Sequence, residues 1–376
     1  MAADVGGWIE PLRSTMDVVV VDQRGTGLSN SLYCANDVDA APATAFGHLY
    51  DDASLRKCRT ALESKADLRQ YTTDDAAGDL DDVREALGYP TLSLYGGSYG
   101  TRLAQVYMRR FPERVRAAVL DGVLPMNARV PLTYASTAQD ALDRIVAACA
   151  ASRECDAAHQ SLANDVRQLL QRFASEPVAT FVTPRGRPPV AVSMSRGDLG
   201  YALRGIMYGA DAVRVLPEII SRGAASGDVQ PLAQRYWQRA SWFSRGFSTG
   251  LHLSVLCAED VPFIGDAEID AATARTFLGR YLVDEYRRAC AQWPAARITP
   301  EFATPVKSAV PTLLISGYFD PVTPPSFADA VARTLTVSRR VVSPDGAHGS
   351  VDGCPKEAAL FVLRTGTLDG MPDVCR

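Results

Sequence analysis

The chain has 376 residues, of which 47% are hydrophobic and 22% are charged, and its formal net charge at neutral pH is −4. This composition is typical of a soluble globular protein with enough apolar material for a large core and room for two domains. The slight negative charge argues against a nucleic-acid-binding surface. No apolar run approaches the roughly 20 residues that a membrane-spanning helix needs.

The predicted elements alternate between strands and helices. Apolar, β-prone runs predict strands at 17–22, 91–96, 116–122, 311–317 and 339–344. Helical spacing of apolar residues predicts helices near 73–87, 99–111 and 356–365. This alternation predicts an α/β fold with a mostly parallel sheet flanked by helices.

The chain between the predicted strands at 116–122 and 311–317 is much longer than one connection needs. We therefore expect residues 126–304 to form an inserted, mainly helical cap, with residues 1–125 and 305–376 forming the core. Such a cap would cover the carboxyl ends of the core strands, where sheets of this kind bind ligands. Within it, the residue pattern predicts helices at 138–151, 163–174 and 271–291 and a short β-prone run at 178–182.

A glycine-rich pentapeptide, residues 96–100, lies between a predicted strand and a predicted helix and reads Gly-Gly-Ser-Tyr-Gly. A Gly-x-Ser-x-Gly turn in this position is the nucleophile elbow, where small flanking residues allow a strained turn to expose the serine. An ordinary glycine-serine turn is the alternative, and the flanking elements favour the elbow. We predict Ser98 as the nucleophile and the backbone N–H of Tyr99, at the start of the helix, as an oxyanion donor.

A nucleophilic serine needs a base, and the chain has four histidines. Three of them are interpreted as surface or packing residues: His48, His159 and His252. His348 lies between small residues in a loop directly after the predicted strand at 339–344, and Asp320 lies in a turn just beyond the strand at 311–317. The order Ser98, Asp320, His348 is that of α/β-hydrolases and differs from the two other common serine-protease orders.

These motifs resemble those of the prolyl aminopeptidase/tripeptidyl aminopeptidase family of α/β-hydrolase serine peptidases. Within it, the chain is most similar to the exported branch with a C-terminal domain like that of tripeptidyl aminopeptidases. The segments that carry the resemblance are residues 19–29, 71–74, 79–84, 94–101, 317–324 and 346–350. The Asp-Gln-Arg-Gly-Thr-Gly and Gly-Gly-Ser-Tyr-Gly motifs together are fairly discriminating, whereas the three catalytic residues alone would fit most esterases.

The resemblance implies an α/β-hydrolase fold and an exopeptidase that releases one to three residues from a free N-terminus, with small apolar or proline residues favoured. Recognition of the substrate's ammonium needs a carboxylate, and Glu259 and Asp260 are the candidates because a disulfide at Cys257 would make their turn rigid. A surface acidic pair is the alternative. The substrate is thus a peptide or an ester: a carboxylesterase is the second hypothesis, and a non-catalytic α/β-hydrolase relative is the third.

Two patterns that suggest a cofactor or a metal have simpler interpretations. Gly25-x-Gly27 lacks the third glycine of a dinucleotide-binding loop and is interpreted as the turn after a strand that ends at Asp22. The acidic cluster at residues 74–82 is interpreted as the solvated face of a helix that Thr72 or Thr73 caps. We therefore expect neither a cofactor nor a metal.

The eight cysteines fall into four pairs of sequence neighbours: Cys34 and Cys58, Cys149 and Cys155, Cys257 and Cys290, Cys354 and Cys375. Eight cysteines allow many pairings, so nearest-neighbour pairing is a hypothesis, and eight reduced thiols in a cytosolic enzyme are the alternative. Disulfides would indicate an oxidising compartment, in agreement with the exported branch. We expect an extracellular, periplasmic or cell-envelope protein, although residues 1–8 show no signal peptide.

The beginning of the chain departs from the family pattern. Members carry a His-Gly-Gly-Pro-Gly-like loop after an early strand, and this loop supplies the second oxyanion N–H. Here only sixteen residues precede Asp17, and residues 6–10 look like the helix that follows such a loop. We expect an N-terminally truncated chain without the first strands, less soluble or slower than a version extended upstream. A compensating Gly6-Gly7 turn is the alternative.

Overall fold

The computed structural model describes residues 7–34 and 38–375. They form two compact units that alternate along the chain. The sheet unit takes the described parts of Met1–Ser31, Arg69–Ala128 and Ala296–Arg376, and the helical unit takes the described parts of Leu32–Leu68 and Arg129–Ala295. Gly6 lies outside the described residues.

The strands are β1 (Leu92–Gly97), β2 (Val115–Asp121), β3 (Val178–Val182), β4 (Val190–Met194), β5 (Thr312–Gly317) and β6 (Ser338–Ser343). The helices are α1 (Asp52–Glu63), α2 (Thr73–Ala86), α3 (Tyr99–Arg110), α4 (Thr133–Ala151), α5 (Arg153–Ala158), α6 (Leu162–Arg172), α7 (Arg196–Ile206), α8 (Ala212–Ser226), α9 (Gln230–Gly246), α10 (Thr249–Glu259), α11 (Asp266–Thr273), α12 (Tyr281–Cys290), α13 (Pro325–Ala332) and α14 (Lys356–Thr365). Short 3-10 helices lie at Glu10–Ser14, Pro42–Ala45, Leu68–Gln70, Pro112–Arg114, Val261–Phe263 and Pro300–Ala303.

Four parallel strands build the sheet unit in the order β1-β2-β5-β6. Four of the five predicted strands agree with them to within one residue at each end. The prediction for 17–22 was wrong: within the described part of the chain this segment pairs with no strand, and Val19 and Val20 are exposed. Its apolar residues favour extended backbone, but a strand also needs a hydrogen-bonding partner.

Both faces of the sheet are buried, as expected for a parallel sheet. Successive residues of β2 point to opposite faces. Ala118 and Leu120 pack with α3 and α13, whereas Ala117 and Val119 pack with α14 and with residues 8–12. Trp8 is buried on this second face, with its ring centroid 4.9 Å from that of Tyr95. The sheet is thereby fixed between two helical layers, and its strand ends can hold loops in defined positions.

The helical unit contains α1, α4 to α12 and the antiparallel pair β3–β4. The helix predicted at 271–291 is interrupted, because Gly279 adopts a left-handed conformation (φ +54°) between α11 and α12. The described residues of 32–68, which the sequence assigned to the core, belong to this unit. The Gly250 N–H donates to the Leu32 carbonyl at 2.9 Å, and the Tyr236 hydroxyl donates to the Ala45 carbonyl at 2.7 Å.

Candidate active site

The turn at Ser98 has the strained geometry of a nucleophile elbow. Ser98 has φ +53° and ψ −118°, a conformation that non-glycine residues rarely adopt. A Cβ atom at Gly96 would overlap the carbonyl group of Gly100, so only glycine fits there. At Gly100 itself a Cβ atom would meet no heavy atom within 4 Å, so the requirement for a small residue rests on Gly96.

Hydrogen bonds hold this turn at the end of the sheet. The Ser98 N–H donates to the Asp121 carbonyl at 2.8 Å. The Ser98 carbonyl accepts the N–H of Thr101 at 2.9 Å and its hydroxyl at 2.6 Å. The Thr101 hydroxyl also accepts the N–H of Leu124 at 2.8 Å. Tyr99 is the first residue of α3, where the N-terminal end of the helix dipole favours negative charge.

Asp320 and His348 form a hydrogen-bonded pair. The side chain of Asp320 is completely buried, and its Oδ2 atom lies 2.8 Å from His348 Nδ1. It also accepts the N–H groups of Val322 and Thr323 at 2.7 and 2.9 Å and the Thr323 hydroxyl at 2.7 Å. Burial tends to raise the pKa of Asp320, but the positive charge and hydrogen bond of His348, together with Thr323, lower it overall.

This pairing fixes the tautomer of the imidazole. An ionised carboxylate can only accept hydrogen bonds, so His348 Nδ1 carries the proton and Nε2 is left as the basic nitrogen. The side chain of His348 is 12% exposed, which leaves one part of the ring accessible. The arrangement can therefore accept a proton at Nε2 and stabilise the resulting imidazolium.

Close backbone contacts set the position of the histidine loop. A Cβ atom at Gly317, at the end of β5, would overlap the carbonyl of Ala347. The Phe319 N–H donates to the Gly346 carbonyl at 2.9 Å. Glycines at these positions let the turn after β5, which carries Asp320, lie directly against the loop that carries His348.

Asp121 is absent from the residues predicted above, although it contacts both the serine turn and the histidine loop. It is the last residue of β2, and its side chain accepts the N–H groups of Ser350 and Val351, each at 3.0 Å. An acidic residue at the carboxyl end of an apolar strand is the sequence signal that would have found it. The structure thus brings Asp320 and His348 together and ties Ser98 to the same region through Asp121.

The Asp-Gln-Arg-Gly-Thr-Gly motif forms a tight loop next to α3. Asp22 closes the loop by accepting the N–H of Leu28 at 2.9 Å. Arg24 donates from Nε and Nη2 to the two carboxylate oxygens of Asp79, each at 2.5 Å. Gln23 Nε2 lies 3.3 Å from the hydroxyl of Tyr99, the residue that follows the proposed nucleophile. The motif is therefore a structural support, and Gly25 and Gly27, both with positive φ, make its turn possible.

The acidic helix that follows begins as predicted. Thr72 caps α2 by accepting the N–H of Asp75 at 3.1 Å, and the Asp75 side chain accepts the Thr72 N–H in return. Part of the helix face that was expected to be solvated instead forms ion pairs. Asp79 pairs with Arg24, and Asp81 accepts a hydrogen bond from Arg84 at 2.6 Å. These carboxylates therefore stabilise the helix and its neighbours.

The other three histidines lie in the helical unit. His48 Nδ1 is 3.0 Å from Glu285, and His159 Nδ1 is 3.2 Å from the Ser221 hydroxyl. His252 is half-buried, and desolvation by the surrounding protein lowers its pKa to about 4. Its contacts are with Tyr286 and Phe247, which fits a packing residue.

The acidic pair at the end of α10 is buried, so the alternative of a surface pair was wrong. Glu259 is 4% exposed and Asp260 is 1% exposed. Asp260 accepts the N–H of Val130 at 3.2 Å, within the helical unit. Burial of two adjacent carboxyl groups is costly unless positive charge or hydrogen bonds compensate for it.

Each cysteine is bonded to its nearest neighbour along the sequence. The Cα–Cα distances are 5.5 Å for Cys34–Cys58, 5.0 Å for Cys149–Cys155, 5.2 Å for Cys257–Cys290 and 5.2 Å for Cys354–Cys375. The first three bridges lie in the helical unit and the fourth encloses α14 in the sheet unit. Among the described helices, none is both long and apolar enough to cross a membrane.

Two named peptidases are similar to this chain over most of its length, and a third is similar over a shorter segment. The serine protease Hip1 of Mycobacterium tuberculosis is 28% identical, over 93% of this chain and 73% of that protein. The tripeptidyl aminopeptidase of Streptomyces lividans is 26% identical, over 96% of this chain and 70% of its own length. The proline iminopeptidase of Neisseria gonorrhoeae is 30% identical, over 28% of this chain and 24% of its own.

A solved structure, a thermophilic esterase from Thermogutta terrifontis, overlaps 94% of this chain and 81% of its own at 17% identity. Its TM-score of 0.40 is too low to bear on function. The family model described as the alpha/beta hydrolase fold matches residues 4–352. With a parallel sheet, a serine elbow and an Asp–His pair in the order of that fold, the chain belongs to the α/β-hydrolase family.

Proposed function

We propose that this protein is a serine exopeptidase that removes amino acids or short peptides from the N-terminus of its substrate through an acyl-enzyme on Ser98. The hydrogen bond from His348 Nδ1 to the buried carboxylate of Asp320 is the observation that carries this proposal. It supplies an oriented base in a fold whose strained elbow presents a serine. The similarity to named serine peptidases supports peptide substrates.

The reaction is acyl transfer in two steps. Ser98 Oγ attacks the carbonyl carbon while His348 Nε2 takes the hydroxyl proton, and the tetrahedral intermediate then breaks its C–N bond as His348 returns the proton to the leaving amine. A water molecule, deprotonated by His348, attacks the acyl-enzyme, and the ester bond breaks as His348 returns the proton to Ser98 Oγ and the carboxylic acid is released. Asp320 stabilises the imidazolium in both steps. The Tyr99 N–H serves as an oxyanion donor, a contribution of about 3 kcal/mol.

The Ser98→Ala variant tests the nucleophile. It should abolish labelling by a fluorophosphonate probe and hydrolysis of both activated esters and peptide amides, with unchanged circular dichroism. Ser93→Ala is the matched control, because Ser93 lies on β1, the strand that leads into Ser98, and its hydroxyl accepts a hydrogen bond from Arg116 at 3.1 Å. Turnover by Ser98→Ala within tenfold of the wild type would exclude Ser98 as the nucleophile.

Glu259 and Asp260 are the proposed binding groups for the substrate's ammonium. They are adjacent and buried at the end of α10, and a carboxylate is the side-chain group that forms charge-assisted hydrogen bonds with an ammonium. Blocking the substrate's N-terminus should therefore raise KM sharply in the wild type and hardly at all in Glu259→Gln. Asp260→Asn tests the second carboxylate, which accepts the Val130 N–H, in the same assay. Equal wild-type activity on blocked and free peptides would instead indicate a carboxylesterase.

We also propose that the protein works outside the cytosol, in the cell envelope or the extracellular medium. The four disulfides carry this proposal, because such bonds persist in oxidising compartments. Fractionation of cells that produce the protein from its own gene should find it in the envelope or the medium. Recovery in the cytosol with reduced thiols would contradict it.

A further inference from the structure

Asp121 connects segments that are far apart in the sequence and carry the proposed catalytic residues. It is 1% exposed at the end of β2. Its backbone carbonyl accepts the Ser98 N–H at 2.8 Å, and its two carboxylate oxygens accept the N–H groups of Ser350 and Val351, each at 3.0 Å. Ser350 and Val351 lie in the same loop as His348, with only Gly349 between His348 and Ser350.

The groups around the Asp121 side chain favour the ionised carboxylate. Both backbone N–H groups donate to it, one to each oxygen, and the Tyr95 hydroxyl lies 3.4 Å from Oδ2. Burial, together with the negative charge of Asp320, raises the pKa of Asp121, and the two N–H groups and the positive charge of protonated His348 offset this rise only in part. A protonated carboxyl group would direct a hydroxyl hydrogen towards a donor on whichever oxygen carried it.

The residue after Asp121 contacts the imidazole region directly. Gly122 has φ +68°, and a Cβ atom there would lie 3.4 Å from His348 Cε1 and 3.0 Å from the Thr323 hydroxyl. The Gly122 N–H donates to the carbonyl of Ile315 in β5, at 3.0 Å. A small movement of the end of β2 would therefore move the histidine, the acid turn and the serine turn relative to one another.

We propose that Asp121 is a positioning residue that holds the His348 loop in register with Ser98 and supplies a second negative charge that stabilises the imidazolium. This inference rests on the proposed serine hydrolase function. Asp121 acts through His348 and does not touch the substrate. Asp320, bonded to Nδ1, sets the tautomer, whereas Asp121 sets the place of the loop that carries the ring.

Asp121→Asn is the primary test, because asparagine keeps the shape but directs a donor amide at one of the two loop N–H groups. A displacement of about 1 Å costs about 100-fold in rate, so kcat should fall about 10- to 100-fold with KM nearly unchanged. The loss should be larger for a peptide amide than for a 4-nitrophenyl ester, because only the amine leaving group needs a proton from His348.

The pH profile separates a positioning role from a general loss of stability. Besides Asp121, the ionisable groups in this cluster include Asp320, which is bonded to His348 Nδ1, and Tyr95, whose hydroxyl lies next to the Asp121 carboxylate. Removing the Asp121 charge should move the acid limb of kcat/KM to lower pH, because the protonated imidazole loses a nearby negative charge. Fluorophosphonate titration of active sites normalises kcat to the folded fraction.

Asp81→Asn is the matched control, an aspartate of the same unit that bonds Arg84 at 2.6 Å and Tyr107 at 2.8 Å. It should lower the melting temperature and leave kcat and the pH profile unchanged. Asp121→Ser, which leaves room for water at the two N–H groups, should fold and show the same selective loss as Asp121→Asn.

The outcomes are distinguishable. Wild-type kcat for both substrates and an unshifted acid limb in the Asp121 variants would overturn the positioning role. Labelling of Ser98 in the wild type would then still support the proposed function. Failure of the wild type itself to be labelled at Ser98 would instead overturn the proposed function.

Discussion

Removing the Cys257–Cys290 disulfide should destabilise the helical unit more than removing Cys149–Cys155. The two bridges are otherwise well matched. In each, one cysteine is buried and the other half-buried, and the Cα–Cα distances are 5.2 and 5.0 Å. They differ in the length of chain that they close, with sequence separations of 33 and 6 residues.

The loop lengths give the expected magnitudes. In the chain-entropy model a bridge restricts the unfolded chain, by about 3.7 kcal/mol at the longer separation and about 2.2 kcal/mol at the shorter one. Replacing both cysteines of a pair by alanine removes the same atoms from similar environments, so the packing losses largely cancel between the two double variants. The difference in unfolding free energy should therefore be about 1.5 kcal/mol.

Urea denaturation followed by tryptophan fluorescence would measure this difference, because three of the four tryptophans lie in the helical unit: Trp237, Trp242 and Trp293. Equal losses for the two double variants, or a larger loss for Cys149→Ala/Cys155→Ala, would refute the loop-length reasoning. Thiol titration of the denatured, unreduced wild type should find almost no free thiol. Eight titratable thiols would overturn both the disulfides and the proposed location.

Two further predictions concern the site and the helical unit. Gly122→Ala should lower kcat about tenfold or more, because the new methyl group crowds His348. Gly88→Ala is the control, since Gly88 also has a positive φ but has open space around it, and this variant should keep the wild-type kcat. The pKa of His252 is lowered from 6.5 to about 4 by burial, so the stability that its neutral form contributes is complete above about pH 6.5 and is lost as the pH falls towards about 4. The urea midpoint should fall more between about pH 7 and about pH 5 in the wild type than in His252→Gln, and equal slopes would contradict this.

Local patterns were sufficient for the strands and helices that flank the serine turn. The turn chemistry of residues 96–100 and the apolar runs on either side depend on neighbours in the sequence. The same is true of the capping residue Thr72, which the structure shows at the start of α2. For the acid and the histidine, the signal was a position in a turn or loop directly after a predicted strand, and the structure bonds Asp320 to His348.

The features that the sequence did not predict depend on distant contacts. The segment 17–22 has a strand-like pattern but no paired partner in the described chain. Residues 32–68 join the helical unit through contacts with residues about two hundred positions away, such as Tyr236 with Ala45. Asp121 bonds backbone groups 229 and 230 positions further along. No window of local sequence contains both partners of these contacts.

The pairing of β2 with β5 joins two parts of the chain that are synthesised far apart in time. Ala118 and Thr312 are partners in adjacent strands, and the second segment of the helical unit is translated between them. A growing chain therefore carries the serine turn long before it contains Asp320, His348 or the loop amides that Asp121 binds. A chain released early, before Val351, would have a nucleophile without a held base, however stable its folded parts were. Hydrolytic activity thus reports that translation has passed the last catalytic loop and that the non-local strand pairing, the slow kind of contact to form, has been completed.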